Sequence, residues 1–267
     1  MKIHLLAFCA ACLLAATLTG CNSDRLTPTL VEPSGVAAIK KLGEQPAAAK
    51  GEELRSTTFQ QDTLFNFMEA AYRDINDYWV EVFAEAKYKP PTAIHRFPEA
   101  GRSLMDKCGN SDDDTARYCA LDDTITISQK VAADVAKDVA RESSGVSAGL
   151  AGDFAVATVI AHEYAHNIQA ELGILRNADG TRRYPTYRTE LQADCWSGVW
   201  ASSAYTRGLL DDDDIREGLE TAWNIGDLNF DHEDHHGTPD QRATAFIEGF
   251  KSGKPLSCDR WLLKDPK

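Results

Sequence analysis

VIAHEYAHNIQ, residues 159–169, carries His162-Glu163-Tyr164-Ala165-His166. Its surroundings predict a helix. Phe154, Val156, Val159, Ile160, Ile168 and Leu172 give it apolar character, and no proline interrupts 153–172. Asp153 is a candidate N-cap and Gly173 fits a C-terminal stop. On a helix, residues four apart lie one above the other on the same face. His162 and His166 can therefore grip one zinc ion, and Glu163 can act as general base on a water bound to it. Ala165 is small enough for a tight approach inside a domain core.

Working outward, TELQADCWSGVWASSAYTRG (189–208) reads as a second helix. Glu190 and Asp194 are again four apart, on a segment made apolar by Leu191, Ala193, Trp196, Val199 and Trp200. Buried carboxylates are costly unless paired or metal-bound. Glu190 is the candidate third ligand, leaving a fourth position open as in catalytic zinc sites. Asp194 is positioned to orient a ligand histidine through a hydrogen bond.

A third concentration of chemistry is Asp231-His232-Glu233-Asp234-His235-His236-Gly237. Its histidines are alternative zinc ligands, but the two helices already complete a site. A zinc peptidase also needs a donor for the oxyanion that forms at the peptide carbonyl. His236 is the first candidate, Arg242 a weaker one and Tyr205 a distant one. The alternative role for Arg242 is a structural salt bridge to a helix carboxylate.

IAHEYAHNIQ, ELQADCWSGVWA, AWNIGDLN and HGTPDQR together resemble, in order, blocks of the bacterial putative neutral zinc metallopeptidase family. The resemblance runs from about Phe59 to Trp261. It implies a zincin-type fold with one catalytic zinc ion held by His162, His166 and Glu190, and Glu163 as base. It implies a reaction class and no substrate. Two positions depart from the family pattern: Ala165 stands where glycine is usual, and Asn167 where histidine is frequent.

The expected fold class is α+β, mainly helical, with a small β-sheet and the HEYAH helix at its site. Phe59 to Ala86 repeats apolar residues at three- and four-residue steps, predicting a long amphipathic helix ended by Lys89-Pro90-Pro91. Thr92–Phe97 and Thr124–Ser128 read as strands, either of which could pair with extended substrate. Val131–Arg141 reads as a helix, and Glu142–Leu150 as a loop near the cleft. Asn177–Tyr184 links the two ligand helices and, with Arg176 and Arg188 at its flanks, is locally basic. Asp211–Asp214 is better explained by N-capping than by calcium, because the oxygen-rich spacing of a calcium loop is missing.

Lys2, the apolar run Leu5–Leu18 and Leu18-Thr19-Gly20-Cys21 resemble a bacterial lipoprotein signal, cleaved before Cys21 and lipidated on its sulfur. Residues 1–20 are then the signal peptide, 21–58 a tether rich in Pro, Ala, Gly, Lys and Glu, and 59–267 the metallopeptidase domain. Asn22 after the cysteine points to the outer membrane, facing the periplasm. Four cysteines remain: Cys108, Cys119, Cys195 and Cys258. In an exported chain they read as two disulfides, with three possible pairings. Cys108–Cys119 is the local candidate, and Cys195–Cys258 would tie the second helix to the C-terminus.

The net charge of −13 argues against a nucleic-acid partner. The expected partners are a peptide or protein substrate and, through Cys21, a membrane. The competing readings are a zinc-stabilised envelope binding factor without turnover and a hydrolase of cell-wall amides. An intact Glu163 argues against the first.

Overall fold

The computed structural model describes residues 61–142, 152–229, 232 and 234–263. The segments expected to be a leader, lipidation site, tether and the loop after Glu142 lie outside the described residues, as do Phe59 and Gln60. The described part is mainly helical with a small sheet. Among these residues no helix is long and apolar enough to cross a membrane.

Helix α1 spans Gln61–Glu85. Strands β1 (Ile94–Arg96), β2 (Leu104–Asp106), β3 (Gly109–Ser111), β4 (Ala116–Cys119) and β5 (Thr124–Ile127) follow. Then come α2 (Gln129–Glu142), α3 (Asp153–Glu171), α4 (Thr186–Thr206), α5 (Asp212–Asn224) and α6 (Pro239–Ser252). A 3₁₀ turn, Pro255–Asp259, leads into α7, Arg260–Leu263.

HEYAH sits in α3, which is buried on almost every side. That is why its apolar residues do not form a single stripe. α1 packs on one flank through Met68, Ile75, Trp79 and Val82, all at most 1% exposed. Trp79 meets Trp196 of α4 edge-on at 5.5 Å, and Phe154 of α3 stacks on Trp200 of α4 at 5.7 Å. The Trp200 indole donates to Asp74 of α1, which also holds Arg207 through two hydrogen bonds.

α4 and α6 approach until their backbones touch. A Cβ on Gly198 would lie 2.0 Å from the Phe246 carbonyl oxygen, and one on Gly249 would lie 1.9 Å from that of Cys195. No side chain fits there. Asp194 lies one turn before Gly198, and Arg242 two turns before Gly249. The glycine contact therefore sets the spacing at which these two charged groups meet. The Cys195–Cys258 disulfide joins α4 to the turn after α6.

The three-stranded sheet has the order β1-β5-β4, with β1 parallel and β4 antiparallel to β5. β5 is central, so it cannot offer a free edge to substrate. β1 and β4 are the two edges, and it is β4, which the sequence reading did not identify as a strand, that lines the cleft with Ala116, Arg117 and Tyr118, beside Ile127 of β5. The separate β2–β3 hairpin supports β4. Arg117 of β4 makes two 2.8 Å bonds to Asp106, and Cys119 is disulfide-bonded to Cys108. Of the three possible connectivities, the one formed is Cys108–Cys119 with Cys195–Cys258.

Asp153 is not the N-cap of α3. The cap is Gly152, at φ 96°, which has no side chain of its own to accept a helix amide. Glu217 of α5 reaches this helix start instead, accepting the Gly152 N–H at 2.8 Å. Gly173, at φ 67°, ends the helix as expected. Asp211 caps α5 in a reciprocal capping box with Asp214, which accounts for the aspartate run.

Glu217 is 2% exposed, and burial lifts its pKa to about 7, helped by the nearby Asp153 and Asp214. Its folded pKa lies above its unfolded value, so the native state holds an extra proton between the two. Stability from this group is full below pH of about 4.5 and is lost as pH rises toward 7. Glu217→Gln keeps the acceptor for Gly152. It is expected to melt like wild type at pH 4.5 and to be more stable by about 1–3 kcal/mol at pH 8. Thermal melts at the two pH values check this.

Candidate metal centre

His162 and His166 extend from the same face of α3, and Glu190 reaches them from the first turns of α4. His162 Nε2 lies 3.1 Å from His166 Nε2 and 3.2 Å from Glu190 Oε2. His166 Nε2 lies 3.3 Å from Glu190 Oε1. A zinc ion with bonds of about 2.0–2.1 Å needs tetrahedral ligands about 3.3–3.4 Å apart. The three side chains present fit such an ion with little adjustment.

The other ring nitrogens are occupied in a way that turns both Nε2 lone pairs inward. His162 Nδ1 donates to Asp194 Oδ1 at 2.9 Å, and His166 Nδ1 to Gln169 Oε1 at 2.8 Å. Gln169 is itself fixed, because its amide donates to the Thr189 carbonyl at 2.7 Å and to Gln192. The sequence reading missed Gln169. Its place three residues after His166 on the same helix was the available signal.

The electrostatics ask for a cation. Burial opposes charging His162, yet Asp194 and Glu190 outweigh it and lift its pKa to about 10. His166 is raised too, against burial, chiefly by Glu190. Glu190 stays well below the usual carboxylate range despite its burial, held there by the two histidines.

Arg242 is not placed as an oxyanion donor. It is 3% exposed, and its guanidinium grips Asp194 with Nε at 2.7 Å and Nη2 at 2.9 Å. It also comes within 3.7 Å of Glu190. This is the salt bridge to a helix carboxylate that stood as the alternative. It arises because α6 begins beside the middle of α4. Tyr205 is also misplaced as a donor: its hydroxyl donates to Asp212 at 2.8 Å, in a separate surface pocket.

The triad opens on a cavity of about 430 Å³. Glu163 and His236 line it, along with Ala116, Arg117 and Tyr118 of β4. Glu163 makes no hydrogen bond or ion pair among the described residues. His236 is half exposed, and its backbone N–H donates to Asp227 at 2.8 Å. His235 is turned to the same carboxylate, 2.6 Å from Asp227 Oδ1, and does not join the triad. Another cluster of metal-ligating side chains, Asp106, Cys108 and Cys119, has its sulfurs tied up in a disulfide.

A family model described as "Putative neutral zinc metallopeptidase" matches residues 12–261. The chain belongs to that family. The zinc its name implies suits the donor set of His162, His166 and Glu190. Among relatives, "Uncharacterized protein YpfJ" of Escherichia coli (strain K12) is 36% identical over 118 residues, 38% of this chain and 41% of that protein. "Uncharacterized protein Mb2605" of Mycobacterium bovis is 35% identical over 129 residues, 40% of this chain and 44% of that protein. The matched part thus spans about two fifths of these relatives' length. No solved structure gives a significant match.

Asn167 and Ala165, the two positions read from the sequence as departures from the family pattern, both lie away from the metal-site atoms. Asn167 faces away from the cavity and donates to the Thr92 carbonyl at 2.6 Å and to Asp123 at 2.8 Å, tying α3 to the sheet. Ala165 is wholly buried in the core. Neither departure touches the donor set.

Proposed function

We propose that this protein is a zinc-dependent peptidase of zincin type, with the zinc on His162, His166 and Glu190. The observation that carries the reading is the convergence of those three side chains at the floor of a cavity that also holds Glu163. When bound, zinc would supply a Lewis acid for a water and for the scissile carbonyl. Glu163 takes the proton of the attacking water and passes it to the leaving amine. Asp194 and Gln169 keep the histidines in the tautomer that faces inward, and Arg242 balances the charge of Asp194. The backbone of β4, an edge strand beside α3, offers unpaired groups to an extended peptide. His236, at the rim, is the donor for the oxyanion.

By the same reading the enzyme is anchored through lipid on Cys21 and works in the bacterial envelope, on the periplasmic side of the outer membrane. The test is hydrolysis of a denatured protein and of purified cell wall by the zinc-loaded protein. Cleavage of the denatured protein, abolished by a chelator and restored by zinc, is the expected result. Cleavage of cell wall alone would move the activity to cell-wall amides. Activity on neither, at full zinc occupancy, would favour a binding role.

A further inference from the structure

The cavity has two unlike halves. One holds the metal-site residues. The other is walled by Ile127, Val131, Ala132, Val135, Val156 and Val159, from β5, α2 and α3. Val159 lies one helical turn before His162 and Glu163, and Val156 about one turn earlier, so the aliphatic wall begins about 5 Å from the reacting groups. Val131 and Val135, four apart on α2, face the same space from the other side, and both keep surface open to it. Partly open aliphatic surface inside a cleft is a receptor for an apolar group.

Among the described residues, the two arginines that line the cavity are both committed elsewhere. Arg117 is bound to Asp106 and to the Asn110 and Gly109 carbonyls, and Arg242 to Asp194. An acidic substrate side chain would therefore be desolvated in the aliphatic half with no uncommitted arginine or lysine, among the described residues lining the cavity, to meet it. The wall is also continuous with the edge strand, since Ile127 is the register partner of Ala116 on β4. A peptide running along β4 delivers a side chain into this half of the cavity.

The geometry points to a specificity subsite for one large aliphatic or aromatic residue (Leu, Ile, Met or Phe) adjoining the scissile bond. Val131, Val135 and Val159 set its depth. The inference rests on the peptidase reading above. An apolar pocket discriminates by about 10- to 200-fold per methylene-sized difference, so the preference is measurable.

The test uses two zinc-chelating hydroxamates that differ only in one side group, isobutyl against hydroxymethyl. Their affinities for the zinc-loaded protein are compared by calorimetry. At least about tenfold tighter binding of the isobutyl compound is expected. Val135→Phe, which fills the subsite, should reduce that ratio to near unity while the hydroxymethyl compound binds as before. Should that variant fail to fold, Val131→Asp makes the same test by placing a charge in the wall. Equal affinities in wild type, or a preference that persists in the folded variant, overturn the subsite and leave the metal centre intact. Binding of neither compound to zinc-loaded protein would overturn the peptidase reading and the subsite with it. Mapping cleavage positions in a peptide mixture adds a check: Leu, Ile, Met and Phe should be enriched at one position in wild type, and small residues in Val135→Phe.

Discussion

Glu163→Gln retains zinc and the fold and loses hydrolysis by about 100- to 10,000-fold. The substitution is nearly isosteric, and Glu163 contributes none of the three ligand atoms. Its carboxylate lines the cavity without a hydrogen bond or ion pair among the described residues. Replacing it should therefore disturb neither packing nor metal affinity, while removing the only proposed proton acceptor next to the attacking water. Zinc content and thermal melts establish that the variant is intact, and turnover of a denatured protein gives the effect. Turnover within a few-fold of wild type would rule out Glu163 as the base.

Arg242→Met destabilises the protein by about 3–5 kcal/mol, the usual cost of leaving one partner of a buried ion pair alone. Asp194 is 3% exposed and receives two hydrogen bonds from that guanidinium. Without them its charge stays buried with His162 as the remaining contact at that side chain, and the imidazole loses its firm anchor. Zinc affinity should drop by about 10- to 100-fold as well. The double variant Arg242→Met with Asp194→Leu separates the two effects. Replacing the pair by apolar groups should recover much of the stability but not the metal affinity. Urea denaturation and competition with a chromogenic chelator measure both. Unchanged stability in the single variant would mean the pair does not balance charge in the way described.

What could be read from the chain was what local periodicity controls. His162, His166, Glu190 and Asp194 are each placed by an i, i+4 relation on a helix, and such a relation survives into the fold whatever surrounds it. The main helices, the two disulfide partners and the capping aspartates were legible for similar reasons. The misses are non-local. β4 is four residues, Ala116–Cys119, with an arginine in the middle, and it is a strand because β5 pairs with it and the Cys108 hairpin braces it. The start of α3 is reached by Glu217, 65 residues away in sequence, so Asp153 looked like the better cap. Arg242 could be assigned to a carboxylate only once Gly198 and Gly249 had brought α4 and α6 together. Gln169 was within reach of a local argument, but a glutamine on a helix carries little signal until its amide is seen fixed to Thr189.

The central claim is that His162, His166 and Glu190 hold one zinc ion. The most direct measurement is the zinc content of purified wild type beside Glu190→Ala, after dialysis against a weak chelator. About one zinc per chain in wild type and a large loss in the variant is the predicted result, because two histidines alone leave the site short of the three protein ligands of catalytic zinc. Wild type without zinc, or a variant that keeps its full complement, would contradict it.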